Sequence, residues 1–259
     1  WQADPAFWKR HSPVLFPIVG SVWENQYRNE GIAYTLSQHG FARDMEFTLV
    51  SEKDDEVRYR LVSNEETLQK YPFPFCLEIG YRIQGKQNEV IWEVKNTGEK
   101  EMYFQIGAHP AFYWPDFNAD TQNRGFFGFD KEEGLKYILI SEKGCADPST
   151  EYSLELTDGL LPLDTHTFDK DALIIENEQI HKVTLYTKEK KAYLSLHFHA
   201  PVVGLWSPPA KNAPFVCIEP WYGRCDRAHY TGEYKDKDWM QHLQPEETFR
   251  GGYTIEIDE

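Results

Sequence analysis

Between Phe47 and Val94 the chain alternates apolar and polar residues in short runs separated by turn signals. Val57, Tyr59 and Leu61 share one side of the first run, Leu77, Ile79, Tyr81 and Ile83 one side of the second, and Val90, Trp92 and Val94 one side of the third. A period of two belongs to a strand with one buried and one wetter face, so these runs predict consecutive antiparallel hairpins. Asn96-Thr-Gly98 then turns the chain into another strand candidate, Met102 to Ile106, which leads to His109. Val202 to Trp206 and Phe215 to Ile218 are apolar throughout, as strands buried on both faces are. Val183 to Tyr186 and Tyr193 to Phe198 predict a hairpin across the charged turn Lys188-Glu-Lys-Lys191, and Ile32 to Leu36, Tyr137 to Ile140, Ala172 to Ile175 and Tyr253 to Ile257 are further strand candidates.

Helical signals are few. Asn64 is placed to cap one or two turns, and Lys235 to Leu243 is the best helix candidate, with Trp239, Met240 and Leu243 on one side. The proline-broken run Pro13 to Gly20 reads as an edge strand or a loop packed on the core. Residues 116–134 have no clear period and read as an irregular excursion that covers a site, and residues 162–171 read as a loop. With no repeat, linker or low-complexity tract, the pattern predicts one all-β domain of many strands over residues 1–259.

Composition supports that reading: aromatics make up 15% of the chain, with 8 Trp and 15 Tyr, residues that favour strands. A formal net charge of −15 argues against nucleic acid and anionic membrane surfaces as partners, because both require a positive footprint. The four cysteines form no CxxC pair and are expected as reduced thiols. No stretch approaches the roughly 18 apolar residues of a membrane span, and no basic-then-apolar leader is visible, so a soluble, cytoplasmic protein is expected. The chain begins Trp1-Gln-Ala-Asp4, without a methionine.

Two residues stand out chemically. Pro110 biases His109 toward an extended backbone and offers no N–H to a sheet, while Phe112, Tyr113 and Trp114 supply apolar walls for the imidazole. Glu219 follows four apolar residues of a buried-type strand and precedes Pro220-Trp221, so its carboxyl is partly desolvated and its pKa is pushed upward, toward the range of a general base. The alternatives are a hydrogen-bonded core histidine and a glutamate ion-paired with Arg224 or Arg227. His39 and Arg43 flank a glycine turn, as a plain turn histidine and a surface or ion-paired arginine also would. His197 and His199, two apart on a strand, face one side but lack further ligands in sequence, which favours packing over metal binding. Serine-hydrolase, phosphate-loop and dinucleotide fingerprints are absent.

Four stretches, Pro13-Val-Leu-Phe-Pro-Ile-Val-Gly20, Gln38-His-Gly-Phe-Ala-Arg43, Gly107-Ala-His-Pro-Ala-Phe112 and Cys217-Ile-Glu-Pro-Trp221, occur in this order. Together they resemble the aldose 1-epimerase (galactose mutarotase-like) family, closest to its short bacterial LacX-type branch, over nearly the whole chain. The resemblance implies a large antiparallel β-sandwich with a cleft on a concave face. It also implies a chain that starts inside that fold, N-terminally incomplete, with an open sheet edge and poor solubility as the expected consequence. The implied activity is interconversion of the α and β anomers of a hexose or hexose 6-phosphate, with Glu219 as base and His109 as acid, and with no cofactor and no metal. His39 then matches a ligand of the sugar, Arg43 a position that in relatives acting on 6-phosphates helps bind the phosphate, and Asp171, or equally Asp169, the acceptor of a sugar hydroxyl. Trp114, Trp206 or Trp221 is available to stack on the sugar. The arginine-asparagine motif of the galactose enzymes is replaced by Ser21-Val-Trp-Glu-Asn25, with Arg28 a substitute, so substrate identity stays open. A non-catalytic carbohydrate-binding or sensing module on the same scaffold is the competing expectation, and the protein is expected as a monomer or homodimer with a small sugar as partner.

Overall fold

The computed structural model describes residues 1–258. Two antiparallel sheets, one of nine strands and one of eight, form a sandwich, with two small two-stranded ribbons beside them. The alternating runs build half of the larger sheet: Thr48–Glu52, Glu56–Val62, Phe75–Gln84 and Gln87–Asn96 pair in succession as a meander, and Thr248–Ile257 adds to it. Leu77, Trp92 and Val94 point inward and meet Val203, Leu205, Val216 and Ile218 of the other sheet in one large core. Fully burying each such side chain contributes roughly 1.5–3 kcal/mol, so the period of two is held in place by the sandwich itself. Among the described residues, no helix is long and apolar enough to cross a membrane.

Asn64 caps a short helix, Glu65–Lys70, in a reciprocal arrangement in which Thr67 N–H donates to the Asn64 side chain and Asn64 N–H donates to the Thr67 hydroxyl. Three expectations are corrected. Lys235 to Leu243 is not a helix: a single tight turn, Tyr234–Asp236, leads to the strand Gln241–Leu243, and Trp239 between them has a left-handed φ of 60°. Ion pairs of Lys237 and Asp238 with Asp226, Arg224 and Arg227 hold this segment in an irregular path. The excursion at 116–134 contains a regular strand, Asn123–Phe129, whose period is broken by a bulge at Gly125 (φ 98°), where a Cβ would meet the Tyr186 carbonyl. The segment at 162–171 starts as part of the strand Leu160–Asp164, and Pro162 is tolerated because that strand forms an edge of its sheet.

In the eight-stranded sheet Phe215–Tyr222 is central. Val202–Trp206 pairs along one side of it; along the other, two short strands, Ile106–Ala108 and Ala111–Tyr113, are separated by His109-Pro110. Proline, lacking an N–H, is what interrupts the ladder there.

Candidate active site

The register on both sides of that interruption is the same: Gly107 faces Trp221 and Ala111 faces Cys217. His109 therefore falls directly opposite Glu219, and residues so placed project to the same face. Alternation along the central strand sends Val216 and Ile218 into the core between the sheets, and Phe215, Cys217, Glu219 and Trp221 to the outer face. The imidazole Nε2 lies 3.3 Å from Glu219 Oε1, with both side chains almost wholly buried. They border a cavity of about 290 Å³ that is also lined by His39, Arg43, Asp171, Trp8, Trp206 and Trp221.

Each flank of the pair is shaped locally. Gly204 sits opposite Glu219 on the neighbouring strand, and a Cβ there would strike the Trp221 ring at 2.4 Å, so glycine is what lets the indole lie beside the carboxylate strand. Trp221 Nε1 donates to the Ala108 carbonyl at 3.3 Å. Trp8 stacks on the His109 ring with centroids 4.5 Å apart, while Trp206 and His39 meet the same ring edgewise at 5.3 and 5.6 Å.

His39 is held by two bonds to Gly20: its own N–H donates to the Gly20 carbonyl, and Gly20 N–H donates to His39 Nδ1 at 3.0 Å. An Nδ1 that accepts leaves Nε2 as the carrier of the proton in the neutral ring, so His39 offers a donor. Its backbone is left-handed (φ 65°), as is that of Asp171 (φ 72°), a conformation that histidine and aspartate adopt more readily than most side chains. Arg43 donates to the Gln38 carbonyl at 2.6 Å; its Nε is 3.9 Å from Asp44, too far for a hydrogen bond, because Arg10 already holds Asp44 with two.

The electrostatics of the pair follow from burial. Desolvation pushes Glu219 well above the usual carboxylate range, and the nearby Asp171 charge pushes it further the same way. Desolvation also lowers His109 to about 3, with Arg43 adding to the effect. His39 is lowered well below its ordinary value, first by burial and then by His109. Both shifts oppose the charged forms, so burial favours a neutral imidazole beside a protonated carboxyl over an ion pair at this 3.3 Å contact. Arg224 is engaged with Glu176 and Asp238, and Arg227 with Asp238, so neither neutralises Glu219. Among the described residues, four buried side-chain polar atoms have no hydrogen-bond partner, and three of them, His109 Nδ1, Glu219 Oε2 and Arg43 Nε, belong to this cavity. Buried polar atoms left without partners carry a desolvation penalty that a polar ligand relieves.

A family model described as aldose 1-epimerase matches residues 1–256. The chain belongs to the aldose 1-epimerase family. Among curated relatives, the plasmid-encoded protein LacX of Lactococcus lactis is 31% identical over 265 residues, a match that covers 99% of this chain and 88% of that protein. Among solved structures, a galactose mutarotase related enzyme from Lactobacillus acidophilus is 33% identical with a TM-score of 0.92, covering 100% of this chain and 86% of the other. A galactose mutarotase-like protein from Lactobacillus casei is 29% identical with a TM-score of 0.91, covering 99% and 88%.

All five family positions picked out in the sequence, His39, Arg43, His109, Asp171 and Glu219, border the same cavity. Asp169 does not reach it and instead accepts from His166 at 2.9 Å. Of the three tryptophans named for stacking, Trp206 and Trp221 line the cavity, whereas Trp114 is in the core with its Nε1 bonded to the Ala213 carbonyl. Arg28 lies away from the cavity and bonds the Thr231 carbonyl. His197 pairs with Glu256 at 3.0 Å and His199 packs against His181, and neither borders that cavity. Trp8 was not singled out: its segment has no period, and the only signal was an aromatic-rich start that also contains Trp1 and Phe7.

Proposed function

We propose that the protein is an aldose 1-epimerase in which Glu219 and His109 perform acid and base steps on a sugar held in the cavity. The observation that carries this reading is the buried contact of His109 with Glu219, each with an unpartnered polar atom, at the wall of a cavity of about 290 Å³. The anomeric hydroxyl O1 and the ring oxygen O5 are bonded to the same carbon, so adjacent proton acceptor and donor groups can serve both. Glu219 as carboxylate takes the O1 proton; the O1–H electron pair forms the C1=O1 bond, the C1–O5 bond breaks, and O5 takes a proton from the His109 imidazolium. Rotation about C1–C2 presents the other face of the aldehyde, and the same steps in reverse close the ring.

The pair needs a single mobile proton. In the dry site it rests on the carboxyl; transfer toward Nε2 yields carboxylate and imidazolium, a charged form that sugar hydroxyls stabilise by hydrogen bonding. His39 Nε2–H is assigned as donor to the sugar and Asp171 as acceptor from a hydroxyl, with Trp8 and Trp206 as apolar walls. Arg43, with its free Nε, is assigned to an oxygen of a hexose or to the phosphate of a hexose 6-phosphate, where a guanidinium can fork onto two oxygens. We further propose a reducing, cytoplasmic setting, which the free thiols of Cys76, Cys145, Cys217 and Cys225 support.

Polarimetry or exchange NMR on freshly dissolved α-glucose, α-galactose and their 6-phosphates tests the proposal. Catalysed anomerisation of at least one is expected, together with a loss of at least ~10²-fold in kcat/KM for Glu219→Gln, the size of effect associated with a general base. Sugar binding by calorimetry with unaccelerated anomerisation would instead identify a non-catalytic carbohydrate-binding module.

A further inference from the structure

Cys217 projects from the same strand face as Glu219, two residues away, and lies diagonally across from His109. Donor atoms of His109, Cys217 and Glu219 all fall within 4.8 Å of one another, and all three side chains are buried. We propose that these three side chains form a binding site for a thiophilic divalent cation of the zinc type, and that an ion bound there inhibits the protein. The inhibitory half of this proposal rests on the reading of His109 and Glu219 as the proton-transfer pair; the binding half does not.

One imidazole, one thiolate and one carboxylate make a zinc donor set, whereas calcium and magnesium prefer oxygen alone. Thiolate and carboxylate together cancel the charge of a dication, which matters in a site with little water to screen it. Zinc bonds of about 2.0–2.3 Å in tetrahedral array set neighbouring donors roughly 3.3–3.8 Å apart. His109 Nε2 and Glu219 Oε1 are already 3.3 Å apart, so Cys217 Sγ needs to shift by on the order of 1 Å at most. Two of the ligands stand on the central strand of a sheet and the third is clamped by Trp8 and Trp206, a rigid setting of the kind that holds metal geometry. Glu219 Oε2, buried without a partner, is the independent sign that the cluster lacks a ligand. Three protein ligands leave a fourth position for a water or another small ligand. His166, His229 and His242 each pair with a single surface carboxylate, Asp169, Glu142 and Glu101, and among the described residues no other histidine belongs to a group of three metal-ligating side chains.

Cobalt(II) titration of the chelator-treated full chain reads the site directly, since a thiolate ligand produces a charge-transfer absorption and a tetrahedral ion produces intense visible bands. About one equivalent is expected to bind with both features, and zinc is expected to displace it. Cys217→Ser should remove the charge-transfer band and weaken binding by at least ~10-fold, with circular dichroism reporting the fold. His109→Gln, which keeps every thiol, should lose the tetrahedral bands and serves if the cysteine variant does not fold. A charge-transfer band that survives Cys217→Ser, or cobalt held without any thiolate signal, would overturn the site. Zinc should also slow anomerisation by the wild-type protein and a chelator should restore it; zinc bound without inhibition would overturn the inhibitory role. The cobalt spectra need no sugar, so an inactive protein with the expected spectra would sink the epimerase reading and leave the metal site standing.

Discussion

A carboxyl buried as fully as Glu219 keeps its proton at pH values where an exposed glutamate has lost it, and that has a consequence for stability as well as for chemistry. Its folded pKa is raised above the ordinary 4.5 by burial and by Asp171, so above about pH 4.5 the folded state binds more protons than the unfolded one. Stability contributed at this position therefore falls as pH rises. His109 has the opposite sense: lowered from 6.5 to about 3 by burial, it leaves the unfolded state with more bound protons between those values, and stability rises with pH until the window closes at 6.5. Glu219→Gln removes the first effect and keeps the second. The difference in melting temperature, variant minus wild type, is expected to grow as pH rises over the range above about 4.5, while activity is lost. A flat difference across that range would mean that Glu219 is already ionised in the folded protein.

At the scale of elements, the meander from Thr48 to Asn96 was legible because a strand buried on one face leaves a period of two in its sequence. The candidate site was legible for a different reason: His109-Pro110 and Glu219-Pro220 are local departures from strand chemistry, and the motifs around them resemble a family. Their mutual distance was not legible, because it depends on a register set by pairings more than a hundred residues apart. Lys235 to Leu243 misled for a related reason, since the partners that pull Lys237 and Asp238 out of helical geometry are contributed by residues 224–227. The irregular N-terminal segment was missed entirely, although Trp1, Phe7 and Trp8 pack against Phe215 and cover the outer face. Trp8→Ala is predicted to leave the sandwich folded, because Trp8 is only half-buried and outside the main core. It should lower kcat/KM by about 3-fold to 10-fold, the range of one lost aromatic contact. Because the indole helps desolvate His109, the acidic limb of the pH–rate profile should also move toward higher pH, a shift that a purely structural role would not produce.

Across the whole molecule, the loops that border the cavity are fastened to one another by a buried pair of charges, Asp226 and Lys237. Asp226 also accepts from Trp23 N–H at 2.8 Å, its own N–H donates to the Ser21 carbonyl, and its carbonyl accepts from Ala146. Three segments, at Ser21–Trp23, Ala146 and Lys237, thus converge on one residue, and the first of them continues from Gly20, which orients His39. Removing one member of a buried pair leaves the other charge desolvated without compensation, an effect of about 3–5 kcal/mol, whereas replacing both by apolar groups is far milder. Asp226→Asn is therefore predicted to lower the melting temperature by roughly 10 °C for a chain of this length. Adding Lys237→Met should recover more than half of that loss, because the uncompensated ammonium is gone while the new side-chain amide can still accept from Trp23 N–H. Equal destabilisation in the single and double variants would show that the uncompensated charge of Lys237 is not the source of the loss.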